Sequence, residues 1–172
     1  TTATPEGIFA LMKHRLREEQ ESNGLEDYVV ENFYELRIQS ENLIRKAGSF
    51  QQIEEVTLHD IYVAMAVCGC INEEQIEYLC QLEKDLEIAS VVCITENIQR
   101  LKELLAQGER VILISDMYLP KETIRQMLLQ VDDIFETMDI YVSSEYGRRK
   151  TTGNLYRVVQ KIEQVSYENW TH

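Results

Sequence analysis

Proline is nearly missing from this chain, with two in 172 residues, and 44% of the residues are hydrophobic. Such a composition buries a core instead of staying disordered. The length suits one domain, or a small core with an inserted subdomain. Positive charge is scarce as well: 17 Lys and Arg stand against 30 Asp and Glu, for a net charge of −13. Nucleic acid is excluded as a partner, because neutralising phosphates needs clustered cations, and so is an anionic membrane surface. No apolar run approaches the roughly 18 residues of a membrane span. No signal-peptide pattern opens the chain, so the expected location is cytoplasmic. Four cysteines and three histidines offer little to a metal. Cys68 and Cys70 have no second closely spaced pair, and no histidine lies near them at zinc-ligand spacing. Cys80 falls on an apolar helical stripe, and the expectation is buried, reduced thiols.

What is present has two periods. Residues 1–92 read as helix after helix. Ile8, Leu11, Met12 and Leu16 follow Pro5, which a first helical turn tolerates. Phe33, Leu36, Ser40, Leu43 and Ile44 continue the spacing to about Gly48. Thr57 with Asp60, and Asn72 with Gln75, have the three-residue spacing of capping boxes. Residues 93–172 alternate helix and strand. Ile98, Leu101, Leu104 and Leu105 mark a helix that Gly108 ends. VILIS (111–115) is short and apolar, suited to a strand covered on both faces. Pro120 starts a helix through Ile124, Met127 and Leu128, MDIYVS (138–143) is a second strand, and Leu155, Val158, Val159 and Ile162 follow on a last helix. This order predicts a parallel α/β sheet.

Parallel sheets bind ligands beyond the carboxyl ends of their strands. Ser115 and Asp116 end one strand, and Ser143 and Ser144 end the next. Arg148, Arg149 and Lys150 come shortly after, and Thr151, Thr152 and Gly153 precede a helix whose first amides favour an anion. These residues fit a phosphate site built by Ser115, Lys150 and backbone amides. They fit a solvated basic turn equally well.

An aspartate closing an apolar strand before Leu-Pro is similar to the phosphoacceptor segment of a response-regulator receiver. That fold also needs an acidic pair after its first strand and a lysine on a later one, and Lys150 comes too soon. ISDMYLP (114–120) and YVSSEYGRRKTTGNLY (141–156) resemble instead the second and third motifs of haloacid dehalogenase-like hydrolases. The similarity is to the bacterial branch with a helical cap, often found beside glycosyltransferase domains. FYELRIQSENLIR (33–45), EEVTLHDIY (54–62) and LEKDLE (82–87) are similar to that branch's cap.

The resemblance implies a partial Rossmann-like core over 93–172 and an all-helical cap over 1–92. It implies phosphoryl transfer through an aspartyl-phosphate, with Ser115 hydrogen-bonding the phosphoryl group and Lys150 neutralising charge. Asp116 and Gly153 complete the implied phosphate-contacting set. Strand alternation turns Asp116 away from Ser115, where it braces the turn or a neighbouring loop. Arg37, Glu41 and Arg45 share one helix face and become cap contacts to substrate. Solvated ion pairing along the helix is the competing and favoured reading for them. Tyr62 and His59 are weaker cap candidates, His59 being an exposed first-turn residue.

The implied substrate is a small phosphorylated metabolite or phosphosugar, and the implied cofactor is Mg2+. Its main ligands belong to an Asp-x-Asp motif and a Gly-Asp motif that do not occur here, which leaves no metal ligands within this chain. The first residue is Thr1, so the expectation is a piece of a longer phosphohydrolase, inactive alone and prone to self-association through uncovered sheet. The alternatives are an accessory region of a multidomain glycosyltransferase and a non-catalytic helical interaction module.

Overall fold

The computed structural model describes residues 5–171; Thr1, on which the expectation of a longer parent rests, lies outside them. Six helices come first: α1 (Pro5–Glu18), α2 (Gln20–Asn23), α3 (Asp27–Glu31), α4 (Phe33–Phe50), α5 (Leu58–Val67) and α6 (Glu73–Ala89). Both expected capping boxes form. Thr57 accepts from the Asp60 amide at the start of α5, and Asn72 accepts from the Gln75 amide at the start of α6, with the reciprocal bonds in place. The second half runs α7 (Thr95–Ala106), β1 (Ile112–Ser115), α8 (Lys121–Leu129), β2 (Asp139–Val142), α9 (Ser143–Tyr146) and α10 (Asn154–Glu163). Gly108 lies just past α7 with φ +80°, a left-handed conformation that glycine adopts without a Cβ clash. The fold is thus mostly helical, with a small sheet of two parallel strands in which Ile112 pairs with Asp139 and Ser115 with Val142.

Alternation along the strands divides the core. Ile140 and Val142 join a large apolar cluster with Ile8, Phe9, Met12, Phe33, Tyr62, Met65 and Leu79 of the helical half, and Leu113 packs against it. Tyr141 faces the other way and joins Leu155 and Val159 of α10, with Ile112 and Ile114 beside them. Leu119 and Ile124, just after β1, also belong to the large cluster. The helical half and the sheet therefore share one continuous core.

Three expectations change. The four residues of β1 are each half-buried, not covered on both faces, because β2 is the strand paired with it and α7 buries no residue. All four cysteines are free thiols, but Cys68 and Cys93 are exposed and only Cys80 is buried; burial pushes its thiol up to about 12.

The third change concerns Arg37, read from sequence as part of a solvated stripe. Its side chain is fully buried. Its Nε and Nη2 donate to the two oxygens of Glu83 on α6 at 3.0 and 2.9 Å, and Nη1 donates to Glu41 at 2.9 Å. Tyr62 on α5 donates to the same Glu83 at 2.5 Å. Rings of Phe9, Tyr118 and Tyr62 stand 4.9, 5.0 and 5.5 Å from the guanidinium. Burial disfavours the Arg37 charge, but Glu83 outweighs it and the pKa stays above its ordinary value. A buried charge stripped of its partner costs about 3–5 kcal/mol, while an apolar replacement of both partners is often neutral. Arg37→Met should therefore lose about that much unfolding free energy in urea, and Arg37→Met/Glu83→Leu should recover most of it. A single-variant loss under about 1 kcal/mol would contradict a dry, mutually dependent pair.

Glu87, one helical turn beyond Glu83, has its carboxyl pushed up by burial and by the Glu83 charge. A carboxyl raised in the folded state favours folding at low pH and loses that contribution as pH rises through the folded value. The stability of Glu87→Gln relative to wild type should therefore grow from about pH 4 to about pH 8. A gap that stays flat across that range in paired urea titrations contradicts it.

Candidate phosphate site at the carboxyl end of the sheet

The parallel register places the ends of β1 and β2 side by side, and two serines and a carboxylate stitch the loops beyond them. The Ser143 hydroxyl, first after β2, accepts from the Met117 amide at 2.9 Å and donates to the Met117 carbonyl at 3.1 Å. The Ser144 hydroxyl donates to the Leu119 carbonyl at 2.9 Å. Both serines are buried, so they hold the turn after β1 and leave ligand contacts to others. Asp116 Oδ1 accepts from the Lys150 amide at 2.6 Å, and Oδ2 takes a longer contact of 3.4 Å from the Thr151 amide. Asp116 thus braces the neighbouring 148–153 turn on the α10 side of the sheet.

Ser115 is on the face it shares with Leu113, toward the helical half, and Leu113 packs on the large cluster. Among the described residues neither Ser115 Oγ nor Lys150 Nζ has a hydrogen-bond or ion-pair partner. Both side chains are half-exposed. The structure therefore brings Ser115, Asp116 and the backbone of Lys150 together at one strand end. Gly153 behaves differently from its expected role. Its amide donates to the Lys150 carbonyl at 2.8 Å, closing the turn, and so is not offered to a phosphate.

Sequence reasoning missed Glu54 and Glu55, which join the linker before α5 to this turn. Glu54 accepts from the Arg149 amide at 2.9 Å and the Thr152 hydroxyl at 2.7 Å, and it also takes the Asn154 side-chain amide. Burial works against its charge, but these donors win and hold its carboxyl below the usual range. A carboxylate thus sits at the start of α10, the position where an anion was expected. Glu55 is buried and pairs with Arg45 on one oxygen and, at 3.2 Å, with Arg149 on the other. Arg45 in turn donates to Glu41 at 2.7 Å. Arg37, Glu41 and Arg45 therefore form one chain of ion pairs that runs through Glu55 to the 148–153 turn, each engaged with protein partners instead of standing free for substrate. Tyr62 is buried in the core and His59 is exposed. The usable signal for the two glutamates was the acidic pair itself, placed between two helical segments with no role in either stripe.

No group of three His, Cys, Asp or Glu side chains capable of holding a metal occurs among the described residues. The nearby carboxylates of Asp116, Glu54 and Glu55 are each engaged by backbone amides or cations. The residues present do not fit a magnesium cage. No helix among the described residues is long and apolar enough to cross a membrane. No family model matches the chain, and no curated protein is similar enough to count as a match.

Amide exchange tests this bracing. Asp116→Ala should speed exchange at Lys150 and Thr151, and Glu54→Ala should do so at Arg149, each by about tenfold or more, as expected for a hydrogen bond to a charged acceptor. Unchanged protection at those amides would show that the turn is held by something else.

Proposed function

We propose that this chain is the cap and the second-and-third-motif region of a haloacid dehalogenase-like phosphohydrolase with a Rossmann-like core. In this reading the strand-end site holds the phosphoryl group of a small phosphorylated metabolite or phosphosugar. One observation carries the reading: a hydroxyl without a partner among the described residues ends one parallel strand, and the turn carrying a lysine likewise without one is tied to the next residue by Asp116. Those are the residue types and the place that phosphoryl recognition needs.

In this reading the Ser115 hydroxyl donates to a non-bridging phosphoryl oxygen, and the Lys150 ammonium offsets the charge that accumulates on it during transfer. The helical half covers the site from the Leu113 face. The attacking carboxylate and the proton donor come from a paired-aspartate motif, and no Asp-x-Asp occurs in the 172 residues. The chain by itself binds phosphate without turning over an ester.

Titration of the protein with inorganic phosphate, followed by calorimetry, should give saturable binding that weakens by about tenfold or more in Ser115→Ala and in Lys150→Met. With magnesium present, p-nitrophenyl phosphate should not be hydrolysed. Phosphate binding indifferent to both substitutions, or ester turnover indifferent to Ser115→Ala, overturns the reading.

A further inference from the structure

A second place on the molecule suits an anion, and it does not depend on the site above. Between the linker carrying Gln52 and Glu54 and the outer face of α10 lies a cleft of about 360 Å³, lined by Arg148, Asn154, Arg157, Val158 and Lys161. That volume falls at the small end of ligand pockets. Asn154, Arg157, Val158 and Lys161 lie at i, i+3, i+4 and i+7, so one stripe of the helix forms one wall.

Charge makes this cleft unlike its surroundings. In a protein of net charge −13, cations usually find a carboxylate, as Arg17, Arg45, Arg110 and Arg149 do. Arg148, Arg157 and Lys161 take part in no ion pair among the described residues; the Arg157 guanidinium donates one bond of 3.3 Å to the Asn154 side-chain oxygen Oδ1. Arg157 and Lys161, four residues apart, form a like-charge pair that disfavours the helix unless an anion stands near both. Glu54 is the one carboxylate in the lining, and its oxygens are already held by the Arg149 amide, Thr152 and Asn154. Three cations against that carboxylate leave two positive charges.

The third cation is held in place. Arg148 Nη1 donates to the Gln52 carbonyl at 2.7 Å and the Gly147 carbonyl at 2.9 Å. Gln52 has φ +59°, a left-handed conformation that a non-glycine residue rarely adopts and that the fold must impose. The linker is bent into that conformation with its carbonyl on the arginine. Nε and Nη2 of Arg148 have no hydrogen-bond partner among the described residues and remain for a ligand, in the fork that matches phosphate oxygens.

We propose that this cleft binds a small polyanion of the phosphate-ester or polyphosphate class, gripped by Arg148 from the turn and by Arg157 and Lys161 from α10. The test uses inorganic pyrophosphate and calorimetry in a Ser115→Ala/Lys150→Met background, so that the strand-end site does not contribute. Saturable binding is expected at physiological salt, weakened about tenfold or more by adding Arg157→Glu/Lys161→Glu. Adding Lys46→Glu/Arg100→Glu, which changes net charge equally at exposed positions elsewhere, should leave affinity unchanged. Arg157 and Lys161 are both exposed, so melting temperatures should match; if they do not, Arg157→Gln/Lys161→Gln repeats the test without charge reversal. No saturable binding in the starting background overturns the proposal. Equal weakening by the distant pair also overturns it, since the net field alone would then account for the attraction.

Discussion

The fold turns on placing one fully buried arginine. A guanidinium in an apolar interior is tolerated only when its donors are occupied and its charge is balanced. Glu83 supplies a two-pronged partner, Glu41 takes a third donor, and three aromatic rings surround the rest. Satisfying that single residue requires α4, α5 and α6 to meet at fixed angles, because Arg37, Tyr62 and Glu83 come one from each. It also recruits Tyr118 from the turn after β1. An apolar cluster of the same volume would pack the three helices without specifying which faces meet. The ion pair penalises any arrangement that leaves either charge alone.

From that pair, charge alternates outward: Arg37 to Glu41, Glu41 to Arg45, Arg45 to Glu55, Glu55 to Arg149. Each internal carboxylate, Glu41 and Glu55, is shared by two cations. The consequence is mechanical. The linker carrying Glu54 and Glu55 is fastened to the 148–153 turn by both side chains and by the Glu54 amide on the Gly147 carbonyl at 3.0 Å. Movement of the helical half relative to the sheet must break these contacts together.

Much of the secondary structure was legible because its causes are local. The Thr57–Asp60 and Asn72–Gln75 boxes, the glycine after α7 and the two short apolar strands each lie within a few residues of the feature they set. The fate of Arg37 was not legible. Charged residues at i, i+4 and i+8 look alike whether the stripe faces water or a glutamate 46 residues away. The half-cover of β1 depends on what lies beside it, which the strand's own residues do not encode. Around the strand end, the grouping of Ser115, Asp116 and the 148–153 turn followed from strand order. The carboxylate on the first turn of α10 did not, because Glu54 lies 100 residues before Asn154 in the chain.

That carboxylate decides how anions can be recognised here. The turn between β2 and α10 looks like a nest of amides ready for phosphate, yet most of its amides are occupied from within. Arg149 N–H serves Glu54, those of Lys150 and Thr151 serve Asp116, and that of Gly153 closes on Lys150. What remains for a ligand is chiefly side-chain charge. Even that is divided by residue: Arg149 turns inward to Glu55, Arg148 is set by two carbonyls beside the α10 cleft, and the Lys150 ammonium has no partner among the described residues. The two proposed anion sites would therefore flank one turn without sharing a donor. Each depends on flexible or forked cations instead of a rigid amide cradle, so its affinity should fall with added salt more steeply than an amide nest would allow.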